Sequence, residues 1–260
     1  MPKPLIIFTP ILFAVIVVSS CKRPPDPVPA KFTGCRIYEI TELWRDTAQT
    51  RFHFVYNDNG TVSRITKYPG KLLYQTTATD FRYRNKAILV YYSSYNNPTQ
   101  HLADSIALDD QNRVTYLFTA DYGQLNHNWT QYHYDANGSP DLITHHSYTK
   151  ETTDTFLWQN GDLVNYSEDF AAGWGVNMYA YTYFDTLFNT GNITAIPADF
   201  ELHGRAIYHY KHLRRYAIML TPVDTTTYTY QLDSGGKITE IKRTEPGNYV
   251  YTTQITYACE

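Results

Sequence analysis

Tyr132-His133-Tyr134-Asp135-Ala136-Asn137-Gly138-Ser139-Pro140-Asp141-Leu142-Ile143 is the stretch whose reading decides the fold. Tyr132 and Tyr134 are two residues apart, so in an extended chain their rings share one face and can ladder against a neighbouring strand. Asp135 to Gly138 then supplies turn chemistry: Asp and Asn bond their own backbone, and Gly accepts the positive φ of a tight reversal. Leu142 and Ile143 belong to a second apolar segment. Together they read as one β-hairpin: an aromatic strand, an Asp/Asn-x-x-Gly turn, an aliphatic strand.

The same unit recurs on both sides. Phe52-His53-Phe54-Val55-Tyr56 precedes Asn57-Asp58-Asn59-Gly60, with Val62 and Ile65 beyond. Phe156-Leu157-Trp158 precedes Gln159-Asn160-Gly161, followed by Leu163 and Val164. Tyr228-Thr229-Tyr230 precedes Asp233-Ser234-Gly235-Gly236, followed by Ile238 and Ile241. Weaker copies surround Phe81-Arg82-Tyr83 with Asn85-Lys86, and Ile106-Ala107-Leu108 with Asp109-Asp110-Gln111-Asn112. Where it is clean the spacing is roughly 25 residues, enough for two strands and two turns. The chain therefore predicts an all-β fold, an antiparallel β-hairpin meander over residues 32–260, curled into a barrel or half-barrel. Short helical turns are expected only near Thr99–Leu102 and around Leu213. The stretch from Phe184 to Pro222 departs from the repeat and is expected to be a long loop or cover at the end of the sheet.

Composition agrees. Of 260 residues 25 are Tyr, aromatic content is 16%, and Tyr favours strands. A net charge of -3 offers no clustered basic face, which argues against nucleic acid as a partner.

The aromatic strand, Asp/Asn-x-x-Gly turn and aliphatic strand resemble YD-type (RHS-like) repeats. More closely they are similar to a group of bacterial envelope lipoproteins of unknown function with a porin-like β-fold. The likeness runs from about Cys35 to the C-terminus. It implies a fold and a location, and carries no activity, cofactor or catalytic residue with it.

The N-terminus reads as an address. Lys3 is followed by an apolar run from Leu5 to Val18, shorter than the roughly 20 residues a spanning helix needs. Val18-Ser19-Ser20-Cys21 resembles the bacterial lipobox, with Ser20 where Gly or Ala is commoner. Residues 1–20 are thus expected to be a lipoprotein signal peptide and Cys21 the lipidated residue. Residues 21–31, rich in Pro24, Pro25, Pro27 and Pro29, form a semi-rigid tether. Lys22 and Arg23 stand where an acidic surface-export signal would lie, so either face of the outer membrane stays open. Cys35 and Cys259 are the other cysteines; in an oxidising compartment an even pair tends to be bridged, which would make the first and last strands neighbours. Two unpaired thiols or an intermolecular link are the alternatives.

Candidate sites are sparse. His127, His133, His145 and His146 crowd one hairpin, where strand geometry could set His133 across from His145, but no zinc-ligand spacing is present and surface imidazoles explain them better. Asp135, Asn137 and Ser139 resemble the start of a calcium loop, yet no terminal Glu follows, so a hairpin turn is the better reading. Asp109-Asp110 and Glu168-Asp169 are adjacent pairs that a strand would split between faces. The aromatics Trp129, Trp158, Trp174, Tyr179, Tyr181 and Tyr183 are candidate ligand-stacking residues, weighed against a role in the core. We therefore expect no metal, no cofactor and no enzyme. The expected protein is a lipid-anchored module of the cell envelope that binds a glycan, a lipid or an envelope protein, or serves as a scaffold. A hydrolase with a loop-built site around His203–Arg215 and Trp174, and a structural envelope component, are the rivals.

Overall fold

The computed structural model describes residues 34–44, 48–70, 75–119, 128–147, 150–169, 176–188, 212–220 and 223–259. Cys21, the expected signal peptide and tether, His127, Trp174 and His203 to Lys211 lie outside them. Among the described residues there are sixteen strands and no α-helix. The first half of the chain holds β1 (Cys35–Trp44), β2 (Ala48–Tyr56), β3 (Val62–Pro69), β4 (Thr77–Arg84), β5 (Ala87–Ser94), β6 (Asn97–Leu108), β7 (Val114–Thr119) and β8 (Asn128–Tyr134). The second holds β9 (Pro140–Ser147), β10 (Lys150–Gln159), β11 (Asp162–Asp169), β12 (Val176–Phe188), β13 (His212–Leu220), β14 (Val223–Leu232), β15 (Ile238–Glu245) and β16 (Tyr249–Cys259). Every strand pairs antiparallel with its sequence neighbours, and β16 pairs with β1, so the barrel is fully closed. The expected helical turns are absent: Thr99–Leu102 lies within β6 and Leu213 within β13, because each alternates its faces inside a continuous ladder. The departing stretch is also partly strand, since Phe184 to Phe188 ends β12 and His212 to Leu220 is β13.

Local chemistry builds one end of the barrel. Asp135 N–H donates to the Ser139 carbonyl at 2.8 Å and Gly138 N–H to the Asp135 carbonyl at 3.0 Å, while Asp135 Oδ1 accepts from the amides of Asn137 and Ser139 at 2.9 and 2.8 Å. The carboxylate that resembled a calcium ligand thus caps the turn. Asp109 and Asp233 make the same bonds to their own turns. The fourth turn position is left-handed: Gly138 has φ 82, and Asn112 takes the equivalent place at φ 61, Asn being among the few side chains that tolerate it.

A bulge follows almost every turn. Register shifts fall between Val55 and Tyr56, Ala107 and Leu108, His133 and Tyr134, Leu157 and Trp158, and Gln231 and Leu232. The inward residues of the outgoing strand are accordingly three apart, as in Val62/Ile65, Val114/Leu117 and Ile238/Ile241, all buried. Each bulge bends its hairpin and adds twist, which closing a sheet requires.

An aromatic latch accompanies most of these bulges. The hydroxyl of Tyr56 donates to the Ile37 carbonyl at 2.8 Å, Tyr134 to Val114 at 2.7 Å, Tyr183 to Leu163 at 2.7 Å, Tyr230 to Arg214 at 2.8 Å and Tyr257 to Ile238 at 2.9 Å. Trp158 does the same with its indole N–H, to the Pro140 carbonyl at 2.6 Å. Burial pushes the phenols of Tyr56 and Tyr257 upward, that of Tyr257 to about 12, so both remain donors over the physiological range. Replacing Tyr134 by Phe deletes one such bond and leaves the Val114 carbonyl short of a partner. The expected loss is about 1 kcal/mol in a urea titration, with the closed fold retained.

Inward-facing apolar side chains fill this end. Ile40, Phe52, Phe54, Ile65, Phe81, Ile88, Val90, Ile106, Ile143, Ile241 and Ile255 are all buried members of one cluster. The wall outside is different in kind: Arg51, Arg82, Lys242 and Thr229 are exposed, and Arg64 pairs with Asp80 at 2.7 Å. Finally, Cys35 and Cys259 lie opposite one another in the β1–β16 register and are disulfide-bonded, joining the first and last strands across the seam.

Candidate functional site

One inward step above the apolar floor, toward the end opposite the tight turns, the residues change character. Above Ile40 stands Glu42, above Ile65 Lys67, above Phe81 Thr79 and above Ile106 Asp104. Above Tyr132 stands Thr130, above Ile143 His145, above Phe156 Asp154, above Tyr166 Glu168 and above Ile241 Arg243. The barrel is thus a cup with a hydrophobic base and a polar upper tier.

The tier opens into a cavity of about 450 Å³ where β7 to β11 meet, lined among others by Thr119, Thr130, His145, Lys150, Asp154 and Glu168. Three of these form a chain. Thr130 Oγ1 lies 3.2 Å from His145 Nδ1, and His145 Nε2 lies 2.9 Å from Asp154 Oδ2. A neutral imidazole satisfies both contacts, accepting from the Thr130 hydroxyl and donating to the Asp154 carboxylate. The Tyr166 hydroxyl also hydrogen-bonds Asp154, and burial with the nearby Asp154 charge keeps that phenol protonated. Asp154, 8% exposed, therefore organises its neighbours from below.

Two further carboxyls are strained electrostatically. Burial pushes Glu168 above the ordinary carboxylate range, the Asp154 charge adds to this, and His145 opposes it. Burial likewise raises Asp104, against a hydrogen bond from Thr119. A raised carboxyl means the folded state binds its proton more tightly than the unfolded chain, so this contribution to stability is complete at low pH and is lost as pH rises through the raised value. The double variant Asp104→Asn/Glu168→Gln should therefore lose less stability than the natural chain between about pH 4 and pH 7.5. Urea midpoints at the two pH values measure it; parallel shifts in the two proteins would contradict the assignment.

The residues singled out from the sequence are dispersed. Trp158 and Tyr183 are latches at the turn end. Tyr179 and Tyr181 face inward, stacked with centroids 6.5 Å apart, and Tyr179 stacks on Tyr166 at 5.5 Å, so this ladder forms one wall beside the tier. Trp129 faces outward, stacked on His146 at 3.4 Å, and His146 pairs with Glu151 at 2.9 Å. His133 does not oppose His145: the bulge beside it pairs it with Leu142, and it points outward while His145 points in. Among the described residues no group of three or more His, Cys, Asp or Glu could hold a metal ion. Sequence reading missed Thr130, Asp154, Lys150 and Glu168 as a set. The available signal was the polar residue two positions beyond the last inward apolar one on each strand.

These features define the class: a closed sixteen-stranded antiparallel barrel, apolar inside at one end and polar inside at the other. Among solved structures it is similar to a porin-like protein from Bacteroides uniformis, with a TM-score of 0.64 and 16% identity over 85% of this chain and 98% of that one. It is also similar to a porin-like protein from Bacteroides vulgatus, with a TM-score of 0.53 and 11% identity over 85% and 98%. No protein-family model matches the sequence, and no similar curated protein was found.

Proposed function

We propose that this chain is a lipid-tethered envelope protein whose barrel stands in water and binds a small polar ligand in its cup. The observation that carries the reading is the distribution of polarity through the wall. A barrel that spans a bilayer presents an apolar band outward, where each Lys or Arg at mid-depth costs about 2–4 kcal/mol. Here Arg51, Arg64, Arg82 and Lys242 face outward, interspersed with exposed apolar side chains such as Val55, Phe118 and Leu157, and the buried apolar cluster faces in. The likeness to porin-like proteins of Bacteroides supports an envelope setting, and the lipobox at Cys21 supports the anchor. Because the chain reaches the barrel at Cys35, on the tight-turn end, a lipid at Cys21 holds that end toward the membrane and turns the cup mouth away from it. The polar tier suits a hydrated solute and is ill suited to an acyl chain.

Cell fractionation tests the tether and the water-facing wall together. The natural chain should sediment with membranes and need detergent for release, whereas Cys21→Ala should appear in the soluble fraction. Retention of Cys21→Ala as a detergent-requiring membrane protein would overturn the reading.

A second reading has one specific observation behind it. Thr130 hydroxyl, His145 imidazole and Asp154 carboxylate stand in the order by which hydrolases activate a hydroxyl nucleophile. It requires turnover of a small ester that disappears in Thr130→Ala; ester hydrolysis no faster than that of His145→Gln would eliminate it.

A further inference from the structure

The outer wall is not uniform round the barrel. Arg51, Arg64, Arg82 and Lys242 stand on β2, β3, β4 and β15, whereas the panel formed by β10 to β14 has another character. Leu157 on β10 is in register with Asn165 on β11, Ala180 on β12, Ile218 on β13 and Thr225 on β14. One outward step toward the mouth, a second row holds Thr155, Ser167, Met178, Leu220 and Val223. All ten are exposed or half-buried, and none carries a charge. Val223 is 74% exposed, Leu157 56%, Met178 46% and Leu220 41%.

Three properties of this panel fit a second copy of the same chain. A two-fold contact sets one patch against itself, so a patch with net charge repels its counterpart and an uncharged one does not. It also needs projections and a recess on the same surface. Here a groove of about 200 Å³, lined among others by Thr155, Leu157, Asn165, Ser167 and Met178, lies beside the protruding side chains. Size is the third. Five strands about 4.8 Å apart and some eight residues long at about 3.4 Å each span about 500 Å² in projection. The accessible surface of the side chains is larger, of the order of the roughly 800 Å² each partner gives to a standard interface.

Resting on the reading of the chain as a tethered envelope protein, we infer that the β10–β14 panel is a docking surface for a second copy, the two barrels standing side by side. A lipid at Cys21 on each chain confines both to one membrane and gives their mouths one direction, which raises the effective concentration of one panel for the other. The two-fold axis then runs parallel to the barrels, at the central strand β12, and brings Met178 and Ala180 of the two copies together. In a ring of sixteen strands β4 is opposite β12, so the charged wall around Arg64 and Arg82 stays in water on the far side. Finished barrels make this contact, so a urea titration at low protein concentration reads the single barrel.

Thiol crosslinking in isolated membranes tests this on the full chain. Cys35 and Cys259 are bonded to each other, so an added cysteine is the reactive one. Met178→Cys and Ala180→Cys should each give a band of twice the chain mass with a short bismaleimide, and Arg82→Cys should not. In sedimentation of the detergent-released protein, Met178→Arg should raise the dimer dissociation constant at least tenfold, and Arg82→Met should leave it unchanged. Sedimentation as a single barrel at every concentration, with no crosslink at Met178 or Ala180 in folded protein, would overturn the dimer. Crosslinking of Arg82→Cys as strong as that of Met178→Cys would overturn the choice of face. Binding of Cys21→Ala protein to phosphatidylcholine vesicles, lost on adding Met178→Arg, would assign the panel to lipid and overturn the second copy as its occupant. Fractionation separates this inference from the tether: crosslinking with no tether leaves the contact standing, and a tether with no crosslinking leaves the reading above standing alone.

Discussion

A chain in which Cys35 and Cys259 are both serine should unfold at markedly lower urea concentration than the natural protein, by roughly 5 kcal/mol of stability. The disulfide joins residues separated by 224 positions, so it constrains nearly the whole described domain in the unfolded state. Loop-closure entropy grows only with the logarithm of loop length, but for a loop this long it lies near the top of the range a single bridge supplies. Reduction of the natural protein should shift the midpoint by the same amount as the double substitution. Agreement of the two would place the effect in the chain restraint, and an unchanged midpoint in both would refute it. The loss has a second consequence. Without the bond, β1 and β16 are held by their ladder alone, and any fraying exposes two unpaired edges of a long sheet. Light scattering during refolding should therefore rise in the reduced protein.

The second large effect lies in the floor of the cup. Ile88 and Ile106 face each other across β5 and β6, and both are 0% exposed. Truncating either to Ala removes apolar contact and leaves a cavity that rigid strands cannot collapse, at an expected cost of about 3 kcal/mol each. Because the two cavities adjoin, the double variant should cost less than the sum, with a coupling of at least about 0.5 kcal/mol. Leu157, on the outer face and 56% exposed, is the control: its replacement by Ala should change stability by no more than about 0.5 kcal/mol. A Leu157 variant as damaging as the Ile88 one would mean the inward and outward faces have been assigned the wrong way round. That result would also remove the argument for a water-facing wall.

The latches link these stability effects to the site. Six aromatics near the turn end bond a carbonyl of the neighbouring strand, which stiffens much of that end of the barrel. The floor is packed above that ring, and the polar tier rests on the floor. Thr130, His145 and Asp154 are thus held on three adjacent strands by pairings that begin at the turns. The proposed site, built this way, would need little ordering on binding, which favours affinity for a small solute.

Much of this was legible in residue order alone, wherever the deciding free energy is local. Asp135 to Ser139 closes its turn through bonds within five residues, so turn chemistry locates the hairpins, and the hairpins define the meander. Alternation within Phe52–Tyr56 or Phe156–Trp158 assigned faces correctly, because period two is a property of any extended chain. Residue order failed where one bulge changes the count. It allowed His133 to stand across from His145, whereas the shift at His133/Tyr134 sends them to opposite faces. It left a half-barrel, and unbonded cysteines, as alternatives to closure, which depends on a pairing between residues 224 positions apart that no local pattern encodes. The cup is of the same kind. Thr130, His145, Asp154 and Glu168 are ordinary strand residues one by one, and become a site only when the curvature of the wall brings β8 to β11 around one space. Turn and strand were determined by the sequence itself; register, closure and the polar cup were decided by the tertiary structure, because only long-range pairing brings those groups out of water together.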